Sequence, residues 1–297
     1  MVDVLADVRD RRLERPDGRV VAWSEWGPGD GLPLLRVPGT PGSRFGLRAD
    51  RSVWADLGLR AITTERPGYG ASTRLPGRRF AEPADDLAAI LDHLGLDRVH
   101  VIGGSGSAPH QLAFAARHPD RVRAMTILVG AAPATDEEYA QLVGVNAEAH
   151  RLLQAGDLDG FRALLTRLRE AIMADPLAAF RDIMDKAPDA DREVMKEPGW
   201  QASIVVAARE ALRPGIDGWA DEGIAIETAW DDVDVEAVTT SVTWWHAPAD
   251  ANAALSAARR LVDRLPNARL VLFDEHEGHM AAHHREREIL EELFARG

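Results

Sequence analysis

The segment VHVIGGSGSAPHQLAFAARHPDRV, residues 99–122, is the most informative part of this chain for its fold. Its first residues are β-branched and predict a buried strand, and its second half carries apolar residues at helical spacing. The turn between them is Gly-Gly-Ser-Gly-Ser, residues 103–107. A serine on such a sharp strand–helix turn projects its hydroxyl away from the sheet, and small neighbours are required because strand and helix approach closely. The segment therefore predicts a nucleophile elbow centred on Ser105.

The elbow pattern departs from the usual one at a single position. The pattern G-x-S-x-G has a glycine where Ser107 stands, and serine is the next smallest side chain without a ring. A glycine- and serine-rich phosphate-binding turn is the alternative interpretation of this segment taken alone. The rest of the chain has to distinguish between the two.

Composition restricts the classes of protein to which the chain can belong. Its 297 residues are 45% hydrophobic, which is enough for a large core. The net charge of −13 disfavours broad nucleic-acid binding, and the absence of cysteine excludes disulfides, thiol nucleophiles and cysteine-based zinc sites. No apolar run approaches the roughly 18 residues of a membrane span, and the first residues lack the apolar stretch of a signal peptide. We therefore expect a cytoplasmic protein with a small-molecule ligand and no membrane or nucleic-acid partner.

Strand and helix patterns divide the chain into three parts. Residues 1–133 alternate between strands and helices, which is typical of a doubly wound, mostly parallel sheet. Residues 134–238 have helical patterns punctuated by prolines, and strand character returns in residues 239–297. An α/β core in two parts with a helical cap between them is the expected architecture. Ligands of open α/β sheets bind at the carboxyl edge of the strands, which such a cap would cover.

Two further residues follow later strands in the order that serine chemistry requires. A serine becomes a strong nucleophile only when a base removes its proton and a third group orients that base. Asp250 follows the strand-like segment SVTWWHA, and His279 follows the segment RLVLFD. The order Ser, Asp, His is the one found in α/β-hydrolases.

With these motifs the chain resembles the capped α/β-hydrolases of the proline-iminopeptidase-like kind. The resemblance extends over essentially the whole length and rests on the segments PGTPGSR (38–44), ERPGYGAS (65–72), GGSGSAP (103–109), WHAPAD (245–250) and EGHM (277–280). It implies that Ser105 is the nucleophile, His279 the general base and Asp250 the carboxylate that orients the imidazole. It also implies an oxyanion hole formed by the backbone N–H groups of Gly106 and Thr40, with no cofactor. No cluster of histidine and carboxylate residues away from the triad has the spacing of metal ligands, so we expect no metal ion.

The chain differs from the family pattern in the loop before Thr40. The family usually has His-Gly where this chain has Pro38 and Gly39, so one N–H and one imidazole are missing. The amides of Gly39 and Thr40 remain, so we expect oxyanion stabilisation to survive. Glu65 stands where relatives often have aspartate, and we expect a structural role there. The hydroxyl of Ser107 has two interpretations, a donor to a bound ligand or a space-filling group.

Other histidines and another aspartate compete with two members of the predicted triad. His276, His283 and His284 compete with His279, but they are more typical of surface histidines. Adjacent histidines on a helix point in different directions, so His283 and His284 are expected to make a poor pair of metal ligands. Asp136 competes with Asp250, but its place in the first turn of a capped helix is a sufficient explanation for it.

Several polar and aromatic residues elsewhere have both a structural and a functional interpretation. His110, one turn into the helix after the elbow, is expected to be packed or solvated. The cap tryptophans are expected to anchor helices, with a substrate pocket as the alternative (Trp200, Trp219 and Trp230). The cap carboxylates Glu222 and Glu227 are expected on a solvated acidic face, with binding of a free amino terminus as the alternative.

The sequence therefore predicts a cofactor-independent serine hydrolase acting on an ester, lactone, thioester or similar acyl compound of modest size. Three alternatives remain at this point. They are an aminopeptidase that removes amino-terminal proline, a lyase or C–C bond hydrolase using the same triad, and a receptor that keeps the fold without catalysis.

Overall fold

A computed structural model describes residues 3–296 of the chain. Within these residues the strands form one eight-stranded sheet in the order β1-β2-β4-β3-β5-β6-β7-β8. The strands are β1 Arg9–Glu14, β2 Val20–Trp26, β3 Leu32–Val37, β4 Leu59–Thr64, β5 Val99–Gly104, β6 Val122–Leu128, β7 Ser241–His246 and β8 Ala268–Leu272. The first two strands pair antiparallel, β2 is also antiparallel to β4, and the strands from β4 to β8 pair in parallel.

Twelve α-helices accompany this sheet in the part of the chain that the structure describes. They are α1 Ser52–Asp56, α2 Ala81–His93, α3 Ala108–Arg117, α4 Asp136–Tyr139, α5 Gly144–Gln154, α6 Leu158–Ala174, α7 Pro176–Ile183, α8 Asp189–Val194, α9 Pro198–Ala211, α10 Asp217–Thr228, α11 Leu255–Val262 and α12 Glu286–Phe294. The predicted fold class, a mostly parallel α/β-hydrolase sheet with a helical insertion, is confirmed.

Helices cover both faces of the sheet. Apolar residues of α2, α3 and α11 pack in one core cluster, and those of α1 and α12 pack in a second cluster. The central strands are accordingly mostly apolar, as in β5, where Val99, Val101 and Ile102 are all buried. Parallel strands buried on both faces favour such a largely apolar composition.

The helices α4 to α10 lie between β6 and β7, in the segment predicted to be a cap. Most of their apolar residues belong to three smaller clusters, while Ala225 and Ile226 of α10 pack with the first sheet cluster. The exact division of the chain at residues 133 and 238 stays a prediction. No helix within residues 3–296 combines the length and the apolar character needed to cross a membrane.

The strand order positions the site. The chain continues from β3 to β4 on one side of β3 and later returns to β5 on its other side. Such a reversal opens a crevice at the carboxyl ends of the two strands. The loop that begins at Pro38 follows β3, and Ser105 follows β5, so both lie at this crevice.

Candidate active site

The backbone at Ser105 has the strained conformation of a nucleophile elbow. Ser105 is at φ +56°, in the left-handed region, and opens a single 3-10 turn that leads from β5 into α3. Left-handed backbone at a residue other than glycine costs about 1–3 kcal/mol and is concentrated at functional sites. A methyl group added at Gly103 would lie 2.3 Å from the carbonyl oxygen of Val37. The glycine before the turn is therefore required by the close approach of β3.

Ser107 has a structural role in this elbow. Its buried hydroxyl donates to the carbonyl oxygen of Gly104 at 2.8 Å and accepts from Nε2 of Gln111 at 2.9 Å. Both contacts tie the turn to α3. Of its two interpretations, the structure therefore supports an internal role and not donation to a ligand.

His279 and Asp250 meet, although 29 residues separate them in the sequence. The imidazole Nδ1 of His279 lies 2.9 Å from Oδ2 and 3.1 Å from Oδ1 of Asp250. The Asp250 carboxylate is fully buried and accepts the backbone N–H groups of Asn252 and Ala253 at 2.7 and 3.2 Å. These bonds fix the carboxylate, so it can hold the imidazole ring in one orientation.

The hydroxyl of Ser105 is not hydrogen-bonded to this pair in the structure. Among the described residues, Nδ1 of His279 bonds to Asp250, and neither imidazole nitrogen makes a hydrogen bond to Ser105. Hydrogen bonds between nucleophile and base are often long in ligand-free enzymes and tighten when substrate binds. The contact between the Ser105 hydroxyl and the His279 imidazole therefore stays a prediction.

The competing acids and histidines lie elsewhere. Oδ1 of Asp136 lies 3.1 Å from Nε2 of His150, and His276 is exposed. His283 and His284 both bond through Nε2 to the carboxylate of Glu197, at 2.9 and 2.5 Å. The expectation that these two rings diverge is wrong, because the backbone there is a 3-10 turn, not an α-helix.

Glu197, His283 and His284 are also the group within residues 3–296 whose donor atoms lie close enough together to hold a metal ion. Two imidazole nitrogens and one carboxylate oxygen are a donor set that zinc accepts. In this structure the two imidazoles are hydrogen-bonded to the Glu197 carboxylate. These hydrogen bonds explain the arrangement of the three side chains without a metal ion.

The loop after β3 lies directly against the elbow. A methyl group added at Gly106 would lie 2.2 Å from Oγ1 of Thr40 and 3.4 Å from Cδ1 of Ile226. One added at Gly39 would lie 3.3 Å from Cβ of Ser105. The two residues predicted to supply the oxyanion hole, Gly106 and Thr40, are therefore neighbours, and cap helix α10 approaches them through Ile226.

Arg66 supports this loop in the absence of the family's histidine. Its guanidinium donates to the carbonyl oxygen of Pro38, to that of Gly39 at 2.8 Å and to Oγ1 of Thr40 at 3.3 Å. Sequence reasoning assigned no role to Arg66, although the proline at position 38 signalled that the loop needed another support. A guanidinium can hold several carbonyl oxygens at once because its donors form a rigid fork.

Arg66 is in turn held by a buried carboxylate from the cap. Glu222 on α10 is fully buried, and its Oε1 lies 2.6 Å from Nε of Arg66 and 2.9 Å from Nε2 of His110. Tyr69 donates its hydroxyl to Oε2 at 2.5 Å, and Arg78 lies 3.7 Å away. We call these five residues the Glu222 cluster. It connects the cap, the elbow helix α3 and the loop of the predicted oxyanion hole.

The charges in the Glu222 cluster follow from burial and pairing. Burial alone would raise the pKa of Glu222, but Arg66, His110 and Arg78 outweigh it and hold that pKa well below its usual range. Burial lowers the pKa of His110 to about 4 despite its bond to Glu222. At neutral pH the cluster therefore contains an ionised carboxylate, and His110 is a neutral donor.

The cap carboxylates correct an expectation from the sequence. Neither Glu222 nor Glu227 belongs to a solvated acidic face, since the side chain of Glu227 is 8% exposed. It accepts from His150 at 2.8 Å and from Gln154 at 2.7 Å. Both carboxylates are engaged by partners that composition could not reveal.

The side chain of Glu65 also has the structural role expected of it. It is buried, accepts the N–H groups of Arg44 and Ala71 at 3.2 and 2.7 Å, and pairs with the Arg44 guanidinium at 2.8 Å. These contacts hold the turn after β4, from which Arg66 extends.

The cap tryptophans anchor helices, as expected. Trp230 donates to the carbonyl oxygen of Ile226 at 2.8 Å and packs against Phe80, while Trp200 packs edge-on against Phe180. Trp219 belongs to the apolar clusters of the cap. Each of the three tryptophan side chains packs against neighbouring residues of the fold.

A strained serine turn at the end of β5 and a histidine–aspartate pair after β7 and β8 are the arrangement typical of the α/β-hydrolase class. A family model described as alpha/beta hydrolase fold matches residues 33–283. The chain belongs to this family, and its predicted assignment as an enzyme of the α/β-hydrolase superfamily is confirmed. The finer resemblance to proline-iminopeptidase-like members stays a prediction.

Relatives and solved structures agree with this assignment. The chain is 25% identical to the 2-hydroxymuconate semialdehyde hydrolase of Pseudomonas putida over 83% of this chain and 80% of that protein. It is 33% identical to the uncharacterized hydrolase YcgS of Bacillus subtilis, where the match spans about a third of each chain (33% and 34%). A thermophilic esterase from Thermogutta terrifontis has the same fold, with a TM-score of 0.67, 19% identity, and coverage of 97% of this chain and 98% of that one.

Proposed function

We propose that this protein is a serine hydrolase that cleaves an ester, lactone or related acyl bond of a small molecule. The observation that carries the proposal is the strained Ser105 elbow, with the Gly39–Thr40 loop packed against it and a His279–Asp250 pair on later loops. Each of these parts is required by acyl transfer to a serine. No resident cofactor has a part in the proposed reaction.

The reaction proceeds in two halves. The hydroxyl oxygen of Ser105 attacks the carbonyl carbon, and its proton passes to Nε2 of His279. The tetrahedral intermediate collapses, the bond to the leaving group breaks, and the proton on His279 passes to the leaving oxygen. Water then attacks the acyl-enzyme with His279 again as the base, which releases the acid and restores the serine.

Backbone amides and a carboxylate supply the remaining stabilisation. The N–H groups of Gly106 and Thr40 are assigned to the oxyanion, where each such donor contributes about 3–4 kcal/mol to lowering the barrier. Asp250 accepts Nδ1–H of His279, selects the tautomer whose Nε2 is a base, and stabilises the imidazolium that forms. Arg66 keeps the Pro38–Thr40 loop in place from behind.

The engaged cap carboxylates favour an acyl substrate over an amino-terminal peptide. An aminopeptidase needs ionised carboxylates free to pair with the substrate ammonium group. Glu222 and Glu227, the two carboxylates considered for this role, are committed to arginine, histidine and glutamine partners. Their commitment supports a substrate without a free amine.

A C–C bond hydrolase is the second candidate, and the relative from Pseudomonas putida favours it. That protein is named for hydrolysis of 2-hydroxymuconate semialdehyde, and its match covers most of both chains. The same triad and amides would serve, but the leaving group would be a carbon atom that must accept the proton. The two candidates therefore differ in substrate and share their catalytic residues.

Covalent labelling tests the shared part of the proposal. A fluorophosphonate probe should modify the peptide that contains Ser105, and mass spectrometry of the digested protein identifies the site. Modification of another residue, or none at all, would overturn the proposal and favour the receptor alternative. Heat-denatured protein is the control, because labelling must depend on the folded site.

A substrate panel then separates the candidates. We expect turnover of p-nitrophenyl esters of short acids and of simple lactones, and none of a proline aryl-amide. Exclusive cleavage of the proline aryl-amide would replace the esterase assignment with an aminopeptidase. Exclusive turnover of 2-hydroxymuconate semialdehyde would replace it with a C–C hydrolase.

The pH profile should report on His279. Burial alone would lower the pKa of His279, but the carboxylates of Asp250 and Asp191 outweigh it and raise that pKa above the usual 6.5. A general base acts only in its neutral form. We therefore expect kcat/KM for an ester to fall as the pH decreases through a value above 6.5, which initial rates across a buffer series would measure. A profile that is level through the histidine range would contradict the assignment of His279 as the base.

A further inference from the structure

A cap residue, Asp191 on α8, is hydrogen-bonded to the turn that carries His279. Its side chain is almost fully buried, at 1% residue exposure. Oδ2 accepts the backbone N–H of His279 at 2.7 Å, and Oδ1 accepts that of Met280 at 3.1 Å. Both oxygens of one carboxylate therefore hold two successive peptide groups of the turn.

The turn leaves room for this carboxylate only because position 278 is glycine. A methyl group added at Gly278 would lie 2.5 Å from Oδ2 of Asp191 and 2.6 Å from Cγ of Pro188. Gly278 is buried, so the added atom could not turn into solvent. Pro188 and Asp191 therefore pack directly against the backbone of the turn at Gly278.

The surroundings of His279 give the charge of Asp191 a role as well. The titratable groups that face or influence the imidazole are Asp250, Asp191 and His246. His246 is fully buried, burial lowers its pKa, and it is held between Trp244 and the carbonyl oxygen of Ala253. It is therefore neutral, and the two carboxylates are the charges that act on His279.

Burial and hydrogen bonding oppose each other at Asp191. Burial raises the pKa of Asp191, and the nearby Asp250 carboxylate adds to this, while the two amide bonds and His279 act in the opposite direction. Two buried carboxylates that influence each other are costly unless a positive charge appears close to them. That positive charge is the imidazolium that the proposed reaction forms.

We propose that Asp191 is a positioning residue by which the cap sets the place of His279 and supports its protonated form. The proposal rests on the proposed function, in which His279 is the base. If α8 moved away from the core, the turn that carries His279 would lose its hydrogen bonds to Asp191. The imidazole would also lose one of the two carboxylate charges near it. The cap is then coupled to the catalytic machinery and does more than shape a pocket.

Four variants separate the parts of this role. Asp191→Ala removes both acceptors and the charge, whereas Asp191→Asn removes the charge and keeps one acceptor oxygen. Gly278→Ala disturbs the contact and keeps the charge. Asp189→Asn is the matched control, because Asp189 lies on the same helix, is 92% exposed and pairs only with Arg192 in the described structure.

The measurements are kcat and KM for a p-nitrophenyl ester and the rate of fluorophosphonate labelling of Ser105, each as a function of pH. We expect kcat to fall about 10- to 100-fold in Asp191→Ala, and less in Asp191→Asn, because a small misplacement of a catalytic group has effects of this size. Both should move the acidic limb of the profile to lower pH, since both remove a negative charge beside His279. Gly278→Ala should lower kcat with the limb in place, and Asp189→Asn should match the wild type.

Thermal melts of every variant show which of them are folded. If Asp191→Ala does not fold, Asp191→Asn is used for the test, because asparagine is nearly equal in size to aspartate. An acidic limb that does not move in either Asp191 variant would overturn the proposal, even with a lower rate, because that result indicates packing alone. An equal effect in Asp189→Asn would also overturn it. Wild-type protein that fails to label at Ser105 would instead refute the proposed function.

Discussion

Replacing Ser105 with alanine is expected to lower kcat for an activated ester by about 10⁶-fold, since loss of the nucleophile or its base has this effect in a serine hydrolase. His279→Ala should cause a similar loss. The double variant should lose little more than either single one, because the two residues act as a unit. Steady-state rates with a p-nitrophenyl ester measure all three.

The matched control for this series is Ser107→Gly. It changes a second serine of the same turn to the residue usual at that position, and the Ser107 hydroxyl bonds only to Gly104 and Gln111 within the described residues. We expect Ser107→Gly to retain most of the wild-type rate. Losses in the Ser105 and His279 variants that multiply in the double variant would show that the two residues act independently, against the proposed mechanism.

Replacing Glu222 with alanine should lower the free energy of unfolding by about 3–5 kcal/mol, the usual result when one partner of a buried ion pair is removed. Arg66 and Arg78 would remain buried with their charges uncompensated. Urea unfolding followed by tryptophan fluorescence measures the change, and Glu222→Gln serves if the alanine variant does not fold. Ester turnover should fall as well, because Arg66 would lose the partner that orients it behind the oxyanion loop.

An exposed cap ion pair provides the control for Glu222. Glu193 and Lys196 are 2.6 Å apart, and each side chain is 69% exposed. Glu193→Ala should change stability by no more than about 0.5 kcal/mol, since solvent screens such pairs. Equal effects of the two substitutions would contradict the structural role of the Glu222 cluster.

The sign of the pH dependence at Glu222 follows from its depressed pKa. The folded protein holds this carboxylate ionised, so its contribution to stability is present above the unfolded-state value of about 4.5. That contribution is lost as the pH decreases below 4.5 toward the depressed pKa of the folded state. The difference in unfolding free energy between wild type and Glu222→Gln should therefore shrink in acid.

Local sequence patterns were enough to predict the sheet, the turn at Ser105 and the order of the triad residues. The reason is physical: the strand pattern, the glycines and the turn at Ser105 are local, and residues that end parallel strands must meet at one edge. For this reason Asp250 could be paired with His279 in advance, and the structure brings those two together. Strand ends do not determine whether Ser105 and His279 form a hydrogen bond, because that depends on side-chain geometry.

The contacts between the cap and this site could not be predicted from the sequence and follow from the packing of the folded chain. Arg66 and Glu222 are 156 residues apart, and Asp191 and His279 are 88 apart. Arg66 and His279 follow strands, but Glu222 and Asp191 lie on cap helices, where no strand end places them. Their meeting depends on how the cap helices pack on the core, and helical periodicity does not encode that packing. In the sequence, an acidic residue on a cap helix has the same pattern whether it faces water, as Glu193 does, or is enclosed, as Glu222 is. Burial separates the two, and burial is a property of the folded chain.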